Sequence, residues 1–443
     1  MSIPLAIVGN GGAAAEAVLA LRANGYAGEI HLFADNDEAP YNPMLGPYLI
    51  SGAIPPERAL PFGDKETFYG GNRVTAHLGS VVASLDAEEQ TLVTAGGVSY
   101  RYDRCLVATG ARPSLPSVSG LREALKGEPD SRRVFTLRSL EDALRLKDAL
   151  SRLTMGPAAG LRAAVIGASL VGVKIAALFR ELGLRVCLIE REPHLLPLAA
   201  HPDCARMMEA SLLEDGYDLR LGASLCSVDA SGEQIRLTFG PRRGAVAAGG
   251  AEGGRVAPED EAVDTTRANS EDFDLVVVCT GIRPSLDFLV KGQVEIDAGI
   301  LVDEQMRSSI PTLYAAGDVA QGMNLMSGRH ETIALWASAR YQGRAAGRSL
   351  AGARGGYRGS IPSSISHVGC MLFASVGRLS DYDCLTTSRD GNSLDLRVWR
   401  DGRLVGVNLL NCCLSAGAMK QALQKAASGA TIGTEASWIN FSG

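Results

Sequence analysis

The stretch Ile3-Pro4-Leu5-Ala6-Ile7-Val8-Gly9-Asn10-Gly11-Gly12-Ala13-Ala14 decides how the chain is read. Its apolar run reads as one buried strand, and G-x-G-x-x-A follows at once, leading into an Ala-rich helix over Ala15–Ala23. Each small residue has a mechanical task. Gly9 makes the tight turn, Gly11 and Gly12 let backbone approach a pyrophosphate, and Ala14 lets the helix lie on the strand. The helix N-terminus adds free N–H groups and the positive end of a dipole, both suited to phosphate.

The device recurs. Arg162-Ala163-Ala164-Val165-Ile166-Gly167-Ala168-Ser169-Leu170-Val171-Gly172 is a second apolar strand followed by G-x-S-x-x-G and a helix over Val173–Leu182. Each unit has a second strand ending in an acid: Glu29–Asp35 in the first, Arg185–Glu190 in the second. An acid about 20 residues beyond the glycines accepts ribose hydroxyls in such units. Asp35 also fits a plain turn acid in Ala34-Asp35-Asn36-Asp37, and both readings stay open. Each unit closes on a strand with a common ending, Ala108-Thr109-Gly110-Ala111-Arg112-Pro113 and Cys279-Thr280-Gly281-Ile282-Arg283-Pro284. Two dinucleotide-binding units in one chain are expected.

Composition narrows the classes. At 443 residues the chain holds roughly two or three domains with ample core. A net charge of −6 gives no basic surface for nucleic acid or anionic membrane. No apolar run approaches the ~20 residues a membrane helix needs, and the immediate first strand leaves no room for a signal peptide. Nine cysteines without C-x-x-C or metal-type spacing fit reduced thiols in a cytoplasm, and six scattered histidines argue against a metal site. Pro40–Tyr48 is too rich in Pro and Gly for a regular helix start. Strands return over Val74–Leu85 and at Thr91–Val93, with a Gly96-Gly97 turn before Tyr100. Gly240 to Asn269 lacks periodicity and reads as a long mobile insertion.

With these motifs in hand, the chain resembles the FAD- and NAD(P)-dependent pyridine nucleotide–disulfide oxidoreductases, in the branch of ferredoxin reductases, rubredoxin reductases and NADH oxidases. Thr312-Leu313-Tyr314-Ala315-Ala316-Gly317-Asp318-Val319 resembles the second FAD signature, and Leu335–Arg344 the helix beneath the flavin. The resemblance implies an α/β fold of two Rossmann-like domains, the NAD domain inserted in the FAD domain, plus a C-terminal α+β domain. The expected boundaries are 1–113 and 286–352 for FAD, 114–285 for NAD, and 353–443 for an interface domain that makes a homodimer. It further implies that Gly9, Gly11, Gly12 and Ala14 hold the FAD pyrophosphate, and that Asp318, next to Gly317, bonds the ribityl chain. Thr109, Gly110 and Trp336 would lie near FAD. Gly167, Ser169, Gly172, Thr280 and Gly281 would hold NAD. Glu190 would select NADH over NADPH by accepting both ribose hydroxyls and repelling a 2′-phosphate, although the adjacent Arg191 offers a phosphate partner.

Departures from the family matter as much. C-x-x-x-x-C beside the flavin is absent, and the position of the single redox cysteine used by NADH oxidases aligns with Met44, which forms no thiolate. The family's Lys near the flavin aligns with Tyr48, and its Glu beyond the NAD glycines aligns with Lys174. The cation has therefore changed sides, so that Lys174 either faces the nicotinamide or is a solvated helix lysine. Electrons would leave the reduced flavin directly, for a small redox protein or a small molecule. Two rivals remain: a thiol enzyme using Cys370, Cys412 or Cys413, and a non-catalytic nucleotide-binding regulator.

Overall fold

The computed structural model describes residues 3–128, 132–154, 160–240, 269–412 and 416–427. The opening run forms a strand, Leu5–Val8, fully buried at the centre of a five-stranded parallel sheet. Ile30–Phe33 and Val74–His77 lie on one side of it, Cys105–Val107 and Leu313–Ala315 on the other. All-apolar strands suit such a position, because both faces of a parallel sheet are covered. The Gly12–Ala23 helix covers one face, and the Trp336–Leu350 helix lies against it. The buried carboxylate of Glu16 ties the two helices, accepting from Arg340 Nε at 2.8 Å and Arg344 Nη2 at 2.9 Å.

A second five-stranded parallel sheet repeats the plan. Arg162–Ile166 is central, with Arg185–Ile189 and Asp218–Arg220 on one side and Leu275–Val278 and Val134–Thr136 on the other. In both sheets the glycine-motif strand sits between its acid-ended neighbour and the strand running into Thr-Gly. The fold is therefore α/β with two Rossmann-like sheets. Two short strands, Ala111–Pro113 and Ile282–Pro284, pair antiparallel where the chain crosses between them.

The C-terminal part is α+β. An antiparallel sheet of five strands, Ser363–Val368, Met371–Gly377, Arg403–Leu410, Ser393–Arg400 and Cys384–Asp390 in that spatial order, carries the Ala416–Ala427 helix. Phe373, Leu396, Val398 and Leu410 join a core cluster with Leu178, Leu188 and Met208 of the second Rossmann unit. Asn408 fastens the seam, accepting from His201 N–H at 2.7 Å and donating to the Ala199 carbonyl at 3.0 Å.

Three expectations are corrected. Gly46–Ile50 is a short helix despite its prolines, because Pro47 sits in the first turn, where a missing N–H costs nothing. Val74–Leu85 is broken at Gly79, separating Val74–His77 from Val82–Asp86. Asn269–Phe273 is a strand paired with Ile235–Phe239, so Asn269 belongs to a sheet; the insertion itself, 241–268, falls outside the described residues, as does Cys413. Among the described residues no helix is long and apolar enough to cross a membrane.

Candidate functional site

The two glycine turns are built alike. Gly9 has φ +113° and Gly167 φ +100°, values that favour glycine. A Cβ at Gly9 would overlap the Ala108 carbonyl oxygen, and one at Gly167 the Cys279 carbonyl oxygen. Each first glycine thus packs on the residue just before Thr-Gly. Ala14 is fully buried where helix meets strand. At Gly11 an added Cβ would meet nothing within 4 Å, so the backbone there faces open space.

The Gly12–Ala23 helix starts without a side-chain cap and with no acid in its first turn. Its leading N–H groups are those a helix cannot satisfy internally. Uncapped donors beside an open backbone fit the pyrophosphate of FAD. Over this turn lies Trp336, whose ring a Cβ at Gly12 would strike, with Phe62 6.4 Å away. Gly317 donates its N–H to Gln342 Oε1 at 2.8 Å, and the largely buried Asp318 pairs with Arg138 at 2.6 Å. Arg138 also donates to the Ala111 carbonyl. Sequence reasoning missed this cation, which precedes the Ser139 cap of the Leu140–Leu153 helix and has no motif of its own. It missed Tyr69 as well, which donates to Asn10 Oδ1 at 2.8 Å and fixes the turn; burial pushes its phenol up to about 12. Asp35 is exposed just past its strand, bonded only by the Asn36 amide among described partners.

The second turn differs in detail. Ser169 caps the Leu170–Glu181 helix, accepting from Gly172 N–H at 3.2 Å and donating to the Cys279 carbonyl at 3.0 Å. Its hydroxyl is therefore engaged, leaving backbone to meet a ligand. Gly172 packs on the Gly167 carbonyl, with no room for a Cβ. Glu190 is only 9% exposed, and its two oxygens accept from Ala168 N–H at 2.8 Å and Glu192 N–H at 2.9 Å. A carboxylate has about four lone-pair sites, so acceptor capacity remains for two hydroxyls, which fits the ribose of NAD. Arg191 points to solvent and pairs with Glu192 at 3.0 Å.

Thr109 and Thr280 have an unexpected reciprocal role. Thr109 Oγ1 donates to the Ser285 carbonyl at 2.9 Å, while Thr280 Oγ1 donates to the Ser114 carbonyl at 2.6 Å. Ser285 N–H returns to the Gly110 carbonyl and Ser114 N–H to the Gly281 carbonyl, both at 3.0 Å. Each Thr-Gly thus clasps the residue following the other unit's Arg-Pro. The hydroxyls hold the two units together by donating to them, so toward a nucleotide they have only acceptor lone pairs left.

Lys174 and Tyr48, 126 positions apart in sequence, meet. Lys174 Nζ lies 4.8 Å from the Tyr48 ring centroid, within cation–π range. Tyr48 is 42% exposed and Met44 50% exposed on the same short segment. The described cysteines lie elsewhere or are inert. Cys279 is buried beside the second turn, its thiol pushed up to about 12 by desolvation. Cys370 is exposed against Ser211, and Cys412 donates to the Leu394 carbonyl, its thiol pushed up by burial.

Comparison with known proteins gives the family. Residues 3–343 match the family described as pyridine nucleotide-disulphide oxidoreductase. The NADH-dependent phenylglyoxylate dehydrogenase subunit epsilon of Aromatoleum evansii is 28% identical over 422 residues, covering 94% of this chain and 90% of that one. Rubredoxin-NAD(+) reductase of Pseudomonas putida is 27% identical over 424 residues, covering 94% and 97%. A putidaredoxin reductase, solved as a covalent complex with putidaredoxin, superposes with a TM-score of 0.79 at 23% identity, covering 95% of this chain and 93% of that one. With the family model matched over three quarters of its length, the chain belongs to the pyridine nucleotide-disulphide oxidoreductase family as a flavin-dependent NAD(P)H oxidoreductase.

Proposed function

We propose that the chain oxidises NADH through bound FAD and passes electrons directly to a small redox protein of the rubredoxin or ferredoxin kind. The observation carrying this reading is the segment at Met44 and Tyr48. It faces Lys174, and where related enzymes place a redox cysteine it holds a thioether. FAD, when bound, accepts hydride and returns electrons singly or in pairs. The chain's own residues do the rest. The uncapped helix start at Gly12 and backbone at Gly9, Gly11 and Ala14 hold the pyrophosphate, and Asp318, paired with Arg138, bonds the ribityl chain. Thr109 and Gly110 border FAD, and Trp336 walls it.

On the other side Gly167, Ser169, Gly172, Thr280 and Gly281 supply backbone to NAD. Glu190 sets NADH above NADPH, a choice supported by the tie of Arg191 to Glu192. Lys174 brings positive charge to the mouth between the units, where it stabilises negative charge that appears during hydride transfer. Tyr48 holds that ammonium from one side. The functional division follows as 1–113 with 286–352 for FAD, 114–285 for NAD and 353–443 for assembly. A homodimer through the C-terminal part accords with the exposed edge strand Cys384–Asp390. A reducing, cytoplasmic setting accords with the burial of Cys105, Cys187 and Cys279 as thiols among the described residues. The acceptor is tested by NADH-dependent reduction of purified rubredoxins and ferredoxins, repeated with Cys370→Ser and Cys412→Ser. Unaltered rates support direct transfer, and loss of reduction in either variant supports a thiol relay.

A further inference from the structure

Apart from both glycine turns, a cavity of about 330 Å³ opens beside the paired linker strands. Arg112, Arg122, Arg132, Arg145 and Arg283 line it, with Asp142 the one acid in its wall. None of the residues assigned above to FAD or NAD lines this cavity. Arg112 and Arg283 are direct cross-strand partners in the antiparallel linker pair. Like charges placed opposite each other in a sheet destabilise it, so something must answer them.

The available acids answer only part. Arg112 pairs with Asp287, yet keeps its Nε–H buried with no acceptor among the described residues. Arg145 pairs with Glu141 one helical turn back. Asp142 accepts from the backbone N–H groups of Arg138 and Ser139 on one oxygen, so a single carboxylate charge faces the five guanidinium groups of the wall. Asp287 also feels the charge of Arg283, so one carboxylate serves two guanidinium groups, and the ion pairs of the described residues include none to Arg122. Arg132 gives its Nε–H to the Gly127 carbonyl at 3.0 Å, and the remaining guanidinium donors belong to residues that line one open volume; planar guanidinium groups match phosphate oxygens two at a time.

We propose that this cavity binds a phosphate-bearing small molecule, gripped by Arg112 and Arg283 from the linkers and by Arg122 and Arg132 from the NAD-side unit. Cationic groups from both linker strands and from the adjacent unit then close on one anion. Occupancy ties the crossing strands to that unit. The ligand's source is a free pyrophosphate-type anion or an organic phosphate ester, the latter able to rest on Leu125 and Phe135 in the same wall.

The test uses FAD-loaded protein saturated with NAD+, so that the dinucleotide cradles are occupied, and titrates inorganic pyrophosphate by calorimetry. Saturable binding at one site per chain is expected. It should weaken at least tenfold in the double variant Arg122→Ala/Arg283→Ala and recover in part in Arg122→Lys/Arg283→Lys. ADP titrated into the same protein identifies the source: tighter than pyrophosphate means an ester, weaker means the free anion. Absence of saturable pyrophosphate binding, equal binding in the double alanine variant, or citrate binding as tightly as pyrophosphate overturns the proposal. FAD absorbance and its bleaching by NADH are read separately, so failure of the cofactor assignment is told apart from failure of this one.

Discussion

Replacing Glu190 by Gln tests the choice of nicotinamide cofactor. The carboxylate accepts one backbone N–H on each oxygen, from Ala168 and Glu192. The amide keeps the shape but has one acceptor oxygen, so one of these N–H groups faces an NH₂ in a nearly closed site. Leaving a buried donor unsatisfied costs about 1–3 kcal/mol of stability. Binding changes for a second reason. Hydrogen bonds from ribose hydroxyls to a charged acceptor are worth about 1.5–3 kcal/mol, so the NADH concentration for half-maximal reduction should rise roughly 10- to 150-fold. Repulsion of a 2′-phosphate disappears with the charge, and NADPH should gain relative to NADH. The assay is anaerobic flavin reduction at varied NADH and NADPH, with FAD content as control because its cradle lies in the other sheet. Arg191→Ala, an exposed residue tied to Glu192, should change neither cofactor more than about threefold. An unaltered NADH/NADPH ratio in Glu190→Gln refutes the reasoning. So does a wild-type preference for NADPH that Arg191→Ala abolishes.

The remaining predictions concern the first cradle and the mouth. Gly11→Val should give soluble, folded, colourless protein, since a Cβ there meets no chain atom within 4 Å; a yellow protein with full FAD content removes Gly11 from the cradle. Lys174→Met should lower the flavin potential and the hydride-transfer rate with FAD content unchanged, and Lys174→Glu should be worse; wild-type values in both make Lys174 a solvated lysine. The loss of its contact with Tyr48 should itself cost only about 0.5–1 kcal/mol of stability. Tyr69 gives a pH dependence. Its folded value of about 12 stands above the ordinary phenol value of 10.0, so its neutral form is favoured by the fold. That stabilisation is whole below pH 10 and is lost as pH rises toward 12. Alkaline denaturation followed by fluorescence should show this slope in wild type and a shallower one in Tyr69→Phe. Equal slopes place the alkaline loss on other groups.

What the sequence made legible was local. Gly9 and Gly167 announce themselves because a left-handed turn and a carbonyl contact are written into one residue type, and the acids at Asp35 and Glu190 follow at fixed distance. Apolar runs such as Leu275–Val278 mark central parallel strands for the same reason. Contacts between distant segments were not legible. Nothing near Thr109 points to Ser285, and Arg138 becomes a partner of Asp318 only when a helix start and a loop are brought together. The strand Asn269–Phe273 was hidden because its polar residues show no alternation, its place coming from pairing with Ile235–Phe239. The meeting of Lys174 with Tyr48 was anticipated only by resemblance, and the cation–π geometry is what the structure adds. The shared core of the C-terminal sheet and the second Rossmann unit has no sequence signal, because Phe373 and Leu410 read as ordinary inward strand residues.

The central claim is that electrons leave the flavin without passing through a cysteine, and double-mixing anaerobic stopped flow tests it most directly. The FAD-loaded protein is mixed with one equivalent of NADH and then with oxidised rubredoxin or ferredoxin, while the spectrum is followed. The account predicts rapid bleaching of the flavin by a single equivalent, no long-wavelength thiolate-to-flavin band, and recovery of flavin absorbance in step with reduction of the acceptor. A long-wavelength band, a requirement for two equivalents of NADH, or recovery abolished by prior thiol alkylation contradicts it.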